Sequence, residues 1–255
     1  LHPAASHVCT VILQVAGAAD DSLRLALVGQ LVGDNGSPRF DSITKTRTVA
    51  GIISQLSLEG VTDYVDQLQD RFLELDEEDE YAMRSQRAFI VDQMAALVKN
   101  SKVPRDEVWP VTVAKFLFVQ ANCAESVAGS ERLLRLPTVA VEDATRDLCK
   151  SRFKSIITEL STFPPVVEET EAAADDEPTK HTAHHLEGML ADGQFRIADL
   201  VQFVLAVQAN EEMTFASPLS DEAAEILGEV SELIAQIRKE TRTRKRKDKA
   251  LAKTR

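Results

Sequence analysis

MRSQRAFIVDQMAALVKNSKVPRDEVWPVTVAKFLFVQAN, residues 83–122, decides the fold. Ile90, Met94, Leu97 and Val98 recur at helical spacing, which predicts a helix over 83–99 with one apolar side. Asn100, Ser101 and Pro104 end it. A second helix is predicted to start at Pro104 or Arg105 and to run to Asn122, carrying Trp109, Val113, Phe116, Leu117 and Gln120. Pro110 is tolerated there because it falls in the first turns of the helix, with its place relative to the cap left open. A helix, a polar break and a second helix make one antiparallel hairpin.

The same period runs outward in both directions. Toward the N-terminus, Val8, Val11, Ile12 and Val15 fall on one face of a helix over 4–18. The segment 23–32 repeats the pattern with Leu27 and Leu31, and 33–38 (GDNGSP) breaks it. Asp41 or Ser42 is predicted to cap a helix running to about Leu56, with Val49, Ile52 and Ile53 inward. Val61, Val65, Leu68 and Phe72 form the next stripe, followed by an acidic loop over 74–80. Toward the C-terminus, a helix is predicted over 141–163 with Leu148, Phe153, Ile156, Ile157 and Leu160, stopped by Pro164 and Pro165. Three more follow at about 181–191, 197–210 and 221–240, the last with Ile226, Val230, Leu233, Ile234 and Ile237 inward. No alternating strand pattern is evident.

Composition agrees. Apolar residues make up 44% and aromatics only 5%, a balance that favours helix-on-helix packing over a β-sandwich. The expected fold is all-α, an α-solenoid of antiparallel helix pairs of the HEAT or armadillo type. The rival is a compact irregular helical domain, since no strict sequence repeat is visible. The expected organisation is a helical-repeat region over 1–163, an acidic flexible loop over 164–180, a continued helical-repeat region over 181–240 and a basic tail over 241–255.

No apolar run reaches the roughly eighteen residues a membrane span needs, so no membrane partner is expected. Cys9, Cys123 and Cys149 are odd in number and form no CxxC pair, which indicates neither a zinc site nor a disulfide framework. Cys9 and Cys149, on or beside apolar helical faces, read as small buried hydrophobes, and a reducing compartment is expected. The chain starts at Leu1 rather than Met, and the expectation is an internal piece of a longer protein.

Charge is divided unevenly along the chain. The last eighteen residues, RKETRTRKRKDKALAKTR, hold ten basic and two acidic residues, a net of +8. With a total of −12, the preceding 237 residues therefore carry −20. Arg242, Arg244, Lys245, Arg246, Lys247 and Lys249 place six positive charges in eight positions. Such a run binds nucleic acid, directs nuclear import, or does both. No aromatic side chain interleaves it, so the expected binding is electrostatic and tolerant of sequence rather than based on stacking.

Three stretches carry a family resemblance. NGSPRFDSITKTRTV at 35–49 resembles a segment of the DNA polymerase V family, also called the DNA polymerase phi or Myb-binding protein 1A-like family. FIVDQMAALVKNSKVPRDEVWPVTVAKFLFVQA at 89–121 is similar to that family's helix, short basic–polar break and second helix. DLCKSRFKSIITEL at 147–160 is similar to the helix that follows the pair. The first stretch is the most specific, and none is a catalytic signature. The resemblance implies a large nucleolar helical-repeat protein acting in ribosomal RNA gene transcription and ribosome biogenesis. Its implied partners are ribosomal DNA or pre-ribosomal RNA and ribosome-assembly or transcription proteins.

The family name raises polymerase chemistry, which needs carboxylates holding two metal ions about 4 Å apart. The candidates are Asp20 and Asp21, the run 77–80, and Asp175 and Asp176. All fall in predicted loops or helix starts, where solvated charge or first-turn helix charge is the stronger reading. No phosphate-cradling GxxxxGK[ST] or GxGxxG is present. His181 and His185, four apart in HTAHH, could share a metal, but spacing supplies no third ligand. Trp109 beside Pro110, and Phe116 with Phe118, read as inter-helix packing ahead of an interface anchor. Basic residues also gather at 45–47 (KTR), at 99–105 and at 146–154. In the last, Lys150, Arg152 and Lys154 are the secondary candidates for phosphate contact, weighed against a solvated face. No catalytic residue, metal, cofactor or small-molecule substrate is expected. The reading is a non-enzymatic nucleolar scaffold; the alternatives are a nucleotidyl transferase and a transport adaptor without a nucleic-acid role.

Overall fold

The computed structural model describes residues 3–33, 36–74, 79–126, 131–162, 187–189, 195–211 and 213–216, with scattered positions over 222–243. It is mainly helical, in the all-α class. The helices are α1 (Pro3–Ala18), α2 (Asp21–Val32), α3 (Phe40–Thr44), α4 (Thr48–Ile53), α5 (Leu58–Glu74), α6 (Glu80–Lys99), α7 (Trp109–Asn122), α8 (Asp143–Thr162) and α9 (Arg196–Gln208). A 3-10 turn at Arg132–Leu134 precedes α8. Two short antiparallel strands, β1 (Cys123–Ser126) and β2 (Met213–Phe215), pair Cys123 with Phe215 and Ser126 with Met213. This pair corrects the expectation of no strand. Segments of three and four residues are too short to show a period of two, and the pairing is made across the fold.

Helix α7 is the centre. Its sequence is apolar around most of its circumference, so only a position enclosed on all sides satisfies it. Trp109, Val113, Ala114, Phe116, Leu117 and Val119 are all buried. It packs against α5, α6, α8 and α9. Phe116 meets Phe72 of α5 edge-on, with ring centroids 5.6 Å apart. Below it, a smaller core joins Phe118, Val119 and Cys123 to Val204, Val207 and Met213. On the other side, α1 and α2 pack on α4, and α2 also on α5.

The stripes predicted for α5 and α6 are buried as expected: Val61, Val65, Leu68 and Phe72, and Ile90, Met94, Leu97 and Val98. Several other expectations need correction. Helix α7 begins at Trp109, not at Pro104 or Arg105. The Asp106 carboxylate accepts the amides of Val108 and Trp109, each at 2.9 Å, and so starts the helix later. In α1 the predicted face is largely turned outward, with Val8 55% and Val15 49% exposed. Cys9 and Ala16 face inward instead, with Ile12 and Leu13 against the core. Small side chains let α1 approach α4, where Gly51 lies directly under Leu13. The described positions between 222 and 243 are helical, but Ile226, Leu233 and Ile237 are exposed rather than inward.

The predicted single helix from Asp41 to Leu56 is two helices, broken at Lys45 in the left-handed region at φ 53°. The Asp41 carboxylate causes the break. Its Oδ1 accepts the Val49 amide at 3.0 Å and its Oδ2 the Ala50 amide at 3.1 Å, so the residue expected to start the first helix caps the second. The hydroxyls of Thr44, Thr46 and Thr48 continue the brace at 2.8 and 2.9 Å. Loss of an N-terminal cap costs about 1 kcal/mol, and here two amides lose their acceptor. Asp41→Ala is therefore expected to lower unfolding free energy by about 1–2 kcal/mol in urea titration. No change in the midpoint would show that the carboxylate is dispensable to the fold.

Candidate functional site

The residues of the strongest sequence signal, Arg242, Arg244, Lys245, Arg246, Lys247 and Lys249, lie outside the described residues. The secondary candidates are on α8, which packs against α6 and α7. Lys150 pairs with Asp147 one turn earlier, at 3.5 Å. The Arg152 guanidinium reaches Asp92 of α6 at 2.6 Å. Lys154 is exposed and makes no ion pair among the described residues. Arg146, in the same basic run, turns inward. It donates to the Cys123 carbonyl at 2.5 Å and to the Val141 carbonyl at 3.1 Å. One arginine of this run thus holds the end of α7, and another ties α8 to α6.

Among the described acidic candidates, Asp20 and Asp79 cap helices and Asp21 bonds across to Ser57. Asp20 accepts the Leu23 amide at 2.8 Å at the start of α2. Asp21 accepts the Ser57 amide and hydroxyl and pairs with Arg24 at 2.8 Å. The Ser57 hydroxyl, with Arg24 adding to it, holds the Asp21 carboxyl below its ordinary pKa. Asp79 accepts the Tyr81 amide at 2.9 Å at the start of α6. Glu77, Glu78, Asp175, Asp176, His181, His184 and His185 lie outside the described residues. Among the described residues, no three acidic, His or Cys side chains are grouped to hold a metal ion, and no helix is long and apolar enough to cross a membrane.

The Trp109 side chain is core, its indole N–H donating to the Pro104 carbonyl at 3.2 Å. Phe116 and Phe118 are core as well. The packing reading of all three holds. Sequence reasoning missed the polar ties between α6, α5 and the segment before α8. Arg87 is wholly buried and donates to the carbonyls of Val139 at 2.7 Å and Ala140 at 3.0 Å, and to Glu142 at 3.3 Å. Arg132 pairs with Asp66 at 2.7 Å and Asp70 at 3.0 Å on α5. The sequence does carry a signal for the first. Arg87 falls in phase with Ile90, Val91 and Met94, so a cation stands on an apolar face.

The family description "DNA polymerase phi" belongs to a family model that matches residues 1–254 of the chain. The chain belongs to the DNA polymerase phi family. No curated protein and no solved structure matches it. Within the most specific stretch of the resemblance, residues 40–49 hold the Asp41–Thr44–Thr46–Thr48 brace. Its aspartate and threonines thus have a structural reason in this member of the DNA polymerase phi family. The basic residues of the stretch, Arg39, Lys45 and Arg47, are exposed.

The thiols of the family member are packed away. Cys123 and Cys149 are fully buried, and burial pushes each thiol up to about 12. Since the thiolate is the nucleophile, both are expected to be inert to a thiol-reactive disulfide reagent at pH 8 until the chain unfolds. Rapid labelling of either in the native state, located by mass spectrometry, would contradict the core placement.

Proposed function

We propose that the chain is part of a non-enzymatic nucleolar scaffold acting in ribosomal RNA gene transcription and ribosome biogenesis. Its helices serve as an α-solenoid of antiparallel pairs that presents surface to ribosome-assembly or transcription proteins. Its basic tail grips ribosomal DNA or pre-ribosomal RNA. The observation that carries this reading is the cationic run from Arg242 to Lys249 attached to a body of opposite charge, in a member of the DNA polymerase phi family. Long-range attraction draws a polyanion to the tail, while the acidic body repels it and leaves its own surface to proteins. Lys150 and Lys154 on α8 supply secondary phosphate contacts, and Arg152 joins them when a phosphate competes with Asp92.

The family description suggests by its name a second reading, a DNA-directed DNA polymerase or other nucleotidyl transferase. Primer extension separates the two. The purified chain, supplied with a primed template, magnesium and all four deoxynucleotides, is expected to add no nucleotide. Template-dependent extension that survives repeated purification would sink the scaffold reading and establish the second.

A further inference from the structure

A cavity of about 140 Å³ lies between the α3–α4 corner and the second half of α6. Its wall is mostly apolar, with Val32, Phe40, Val49, Ile53 and Leu97. Ala50 and Ala96, both exposed, also line it and mark its mouth. A cavity of about 150 Å³ accepts a benzene-sized group, so this one has room for a single Leu, Ile or Phe side chain.

Cations surround it in sequence on both sides. Arg39 stands between the lining residues Pro38 and Phe40, Arg47 stands two before Val49, and Lys99 stands next to Asn100. Arg39, Lys45, Arg47, Lys99 and Lys102 are all exposed, and among the described residues none makes an ion pair. This differs from Arg24, Arg87, Arg132 and Arg152, which are tied to carboxylates of the fold. The carboxylate at the cavity, Asp41, is already held by the amides at the start of α4. Ile43, 63% exposed, adds an apolar side chain among the cations. Cations of two basic stretches that are separate in sequence, Arg39 to Arg47 and Lys99 to Lys102, thus adjoin along the chain the residues that line one apolar hole on a body of strongly negative charge.

We propose that this cavity and its cationic border form a docking site for a short acidic segment of a partner protein. One apolar side chain of the segment enters the cavity between Phe40, Ile53 and Leu97. Carboxylates on either side of that anchor meet Arg39, Arg47 and Lys99. Charge complementarity selects the occupant: an acidic segment gains here what the rest of the body denies it. A buried apolar anchor with a charged rim is the usual arrangement of a small protein interface. A single strand held by stacking would want an aromatic surface, and the exposed apolar side chain offered here is the aliphatic Ile43. The inference rests on the reading of the helical body as a protein-binding scaffold, and it names the place.

The test is selection of random dodecapeptides displayed on phage against the full chain, followed by titration of the selected peptides in solution. Selected peptides are expected to share one Leu, Ile or Phe flanked by Asp or Glu. Their affinity is expected to fall about tenfold or more in Lys45→Glu/Arg47→Glu, which reverses two charges, and in Ala96→Trp, which fills the mouth. All three positions are exposed, and thermal melting of both variants is expected to match the parent chain. Acidic peptides that bind both variants unchanged would overturn this site while leaving a protein-binding body intact. Selection of no peptide, or of basic ones, would overturn the inference and deprive the scaffold reading of support together. Affinity for a twenty-nucleotide single strand is expected to be unchanged in Lys45→Glu/Arg47→Glu. A loss there would assign the surface to phosphates. A dimer of the parent chain that the same two variants dissolve would assign it to a second copy, and either result overturns the proposal.

Discussion

Replacing Arg87 with alanine is expected to destabilise the fold by about 3–5 kcal/mol, the range for removing one partner of a buried charge pair. The guanidinium is enclosed, 5.5 Å from the Phe72 ring centroid, and it is the donor for the Val139 and Ala140 carbonyls and Glu142. Burial lowers its pKa from the ordinary value while Glu142 works against that shift. Alanine would leave those carbonyls without this donor and Glu142, whose side chain is 20% exposed, without its countercharge. The segment before α8 would lose its tie to α6, and α8 would lose the register in which it covers α7. Arg87→Lys is expected to lie between the two, since an ammonium group cannot fork to two adjacent carbonyls. Urea unfolding followed by circular dichroism measures all three chains. A loss below about 1 kcal/mol for Arg87→Ala would mean that the segment before α8 is held by other contacts.

The second large effect concerns the tail. Truncation after Thr241 is expected to abolish binding to duplex DNA and to structured RNA at 150 mM salt. It is also expected to leave thermal stability unchanged and to disperse the protein from nucleoli. The reason is charge density. Each phosphate neutralised releases counterions, and six cations in eight residues supply most of the favourable term. The body, at −20 without the last eighteen residues, opposes the same contact. Restoring the run with six lysines is expected to recover binding, because an electrostatic grip reads charge and not side-chain geometry. If the truncated chain binds as tightly as the parent, the contact belongs to the body, with Lys150, Arg152 and Lys154 the first residues to replace.

Much of the helical frame is legible in the sequence because α5, α6 and α8 are long and keep their period through several turns. What stays hidden depends on contacts between distant segments. The break at Lys45 comes from a carboxylate that leaves its own helix to cap the next one. The strands β1 and β2 exist only because the end of α7 meets the end of α9. The outward stripe of α1 arises because α1 turns its small residues Cys9 and Ala16 inward and leaves Val8 and Val15 outside. A hydrophobic stripe states that a helix has an apolar side; it does not state which neighbour will claim it. For the candidate site the order is reversed. The tail is evident from composition alone, with no structure needed. The cavity lined from α3, α4 and α6 is invisible until the fold brings those elements together.

On the proposed reading, polyanions are held by the tail through charge. The most direct measurement is the affinity of the intact chain for a DNA duplex as salt rises from 50 to 200 mM. The expected slope is near −5 in log affinity against log salt, corresponding to about six phosphates and a loss of about a thousandfold over that range. A slope near zero, with affinity retained at the upper salt concentration, would contradict it.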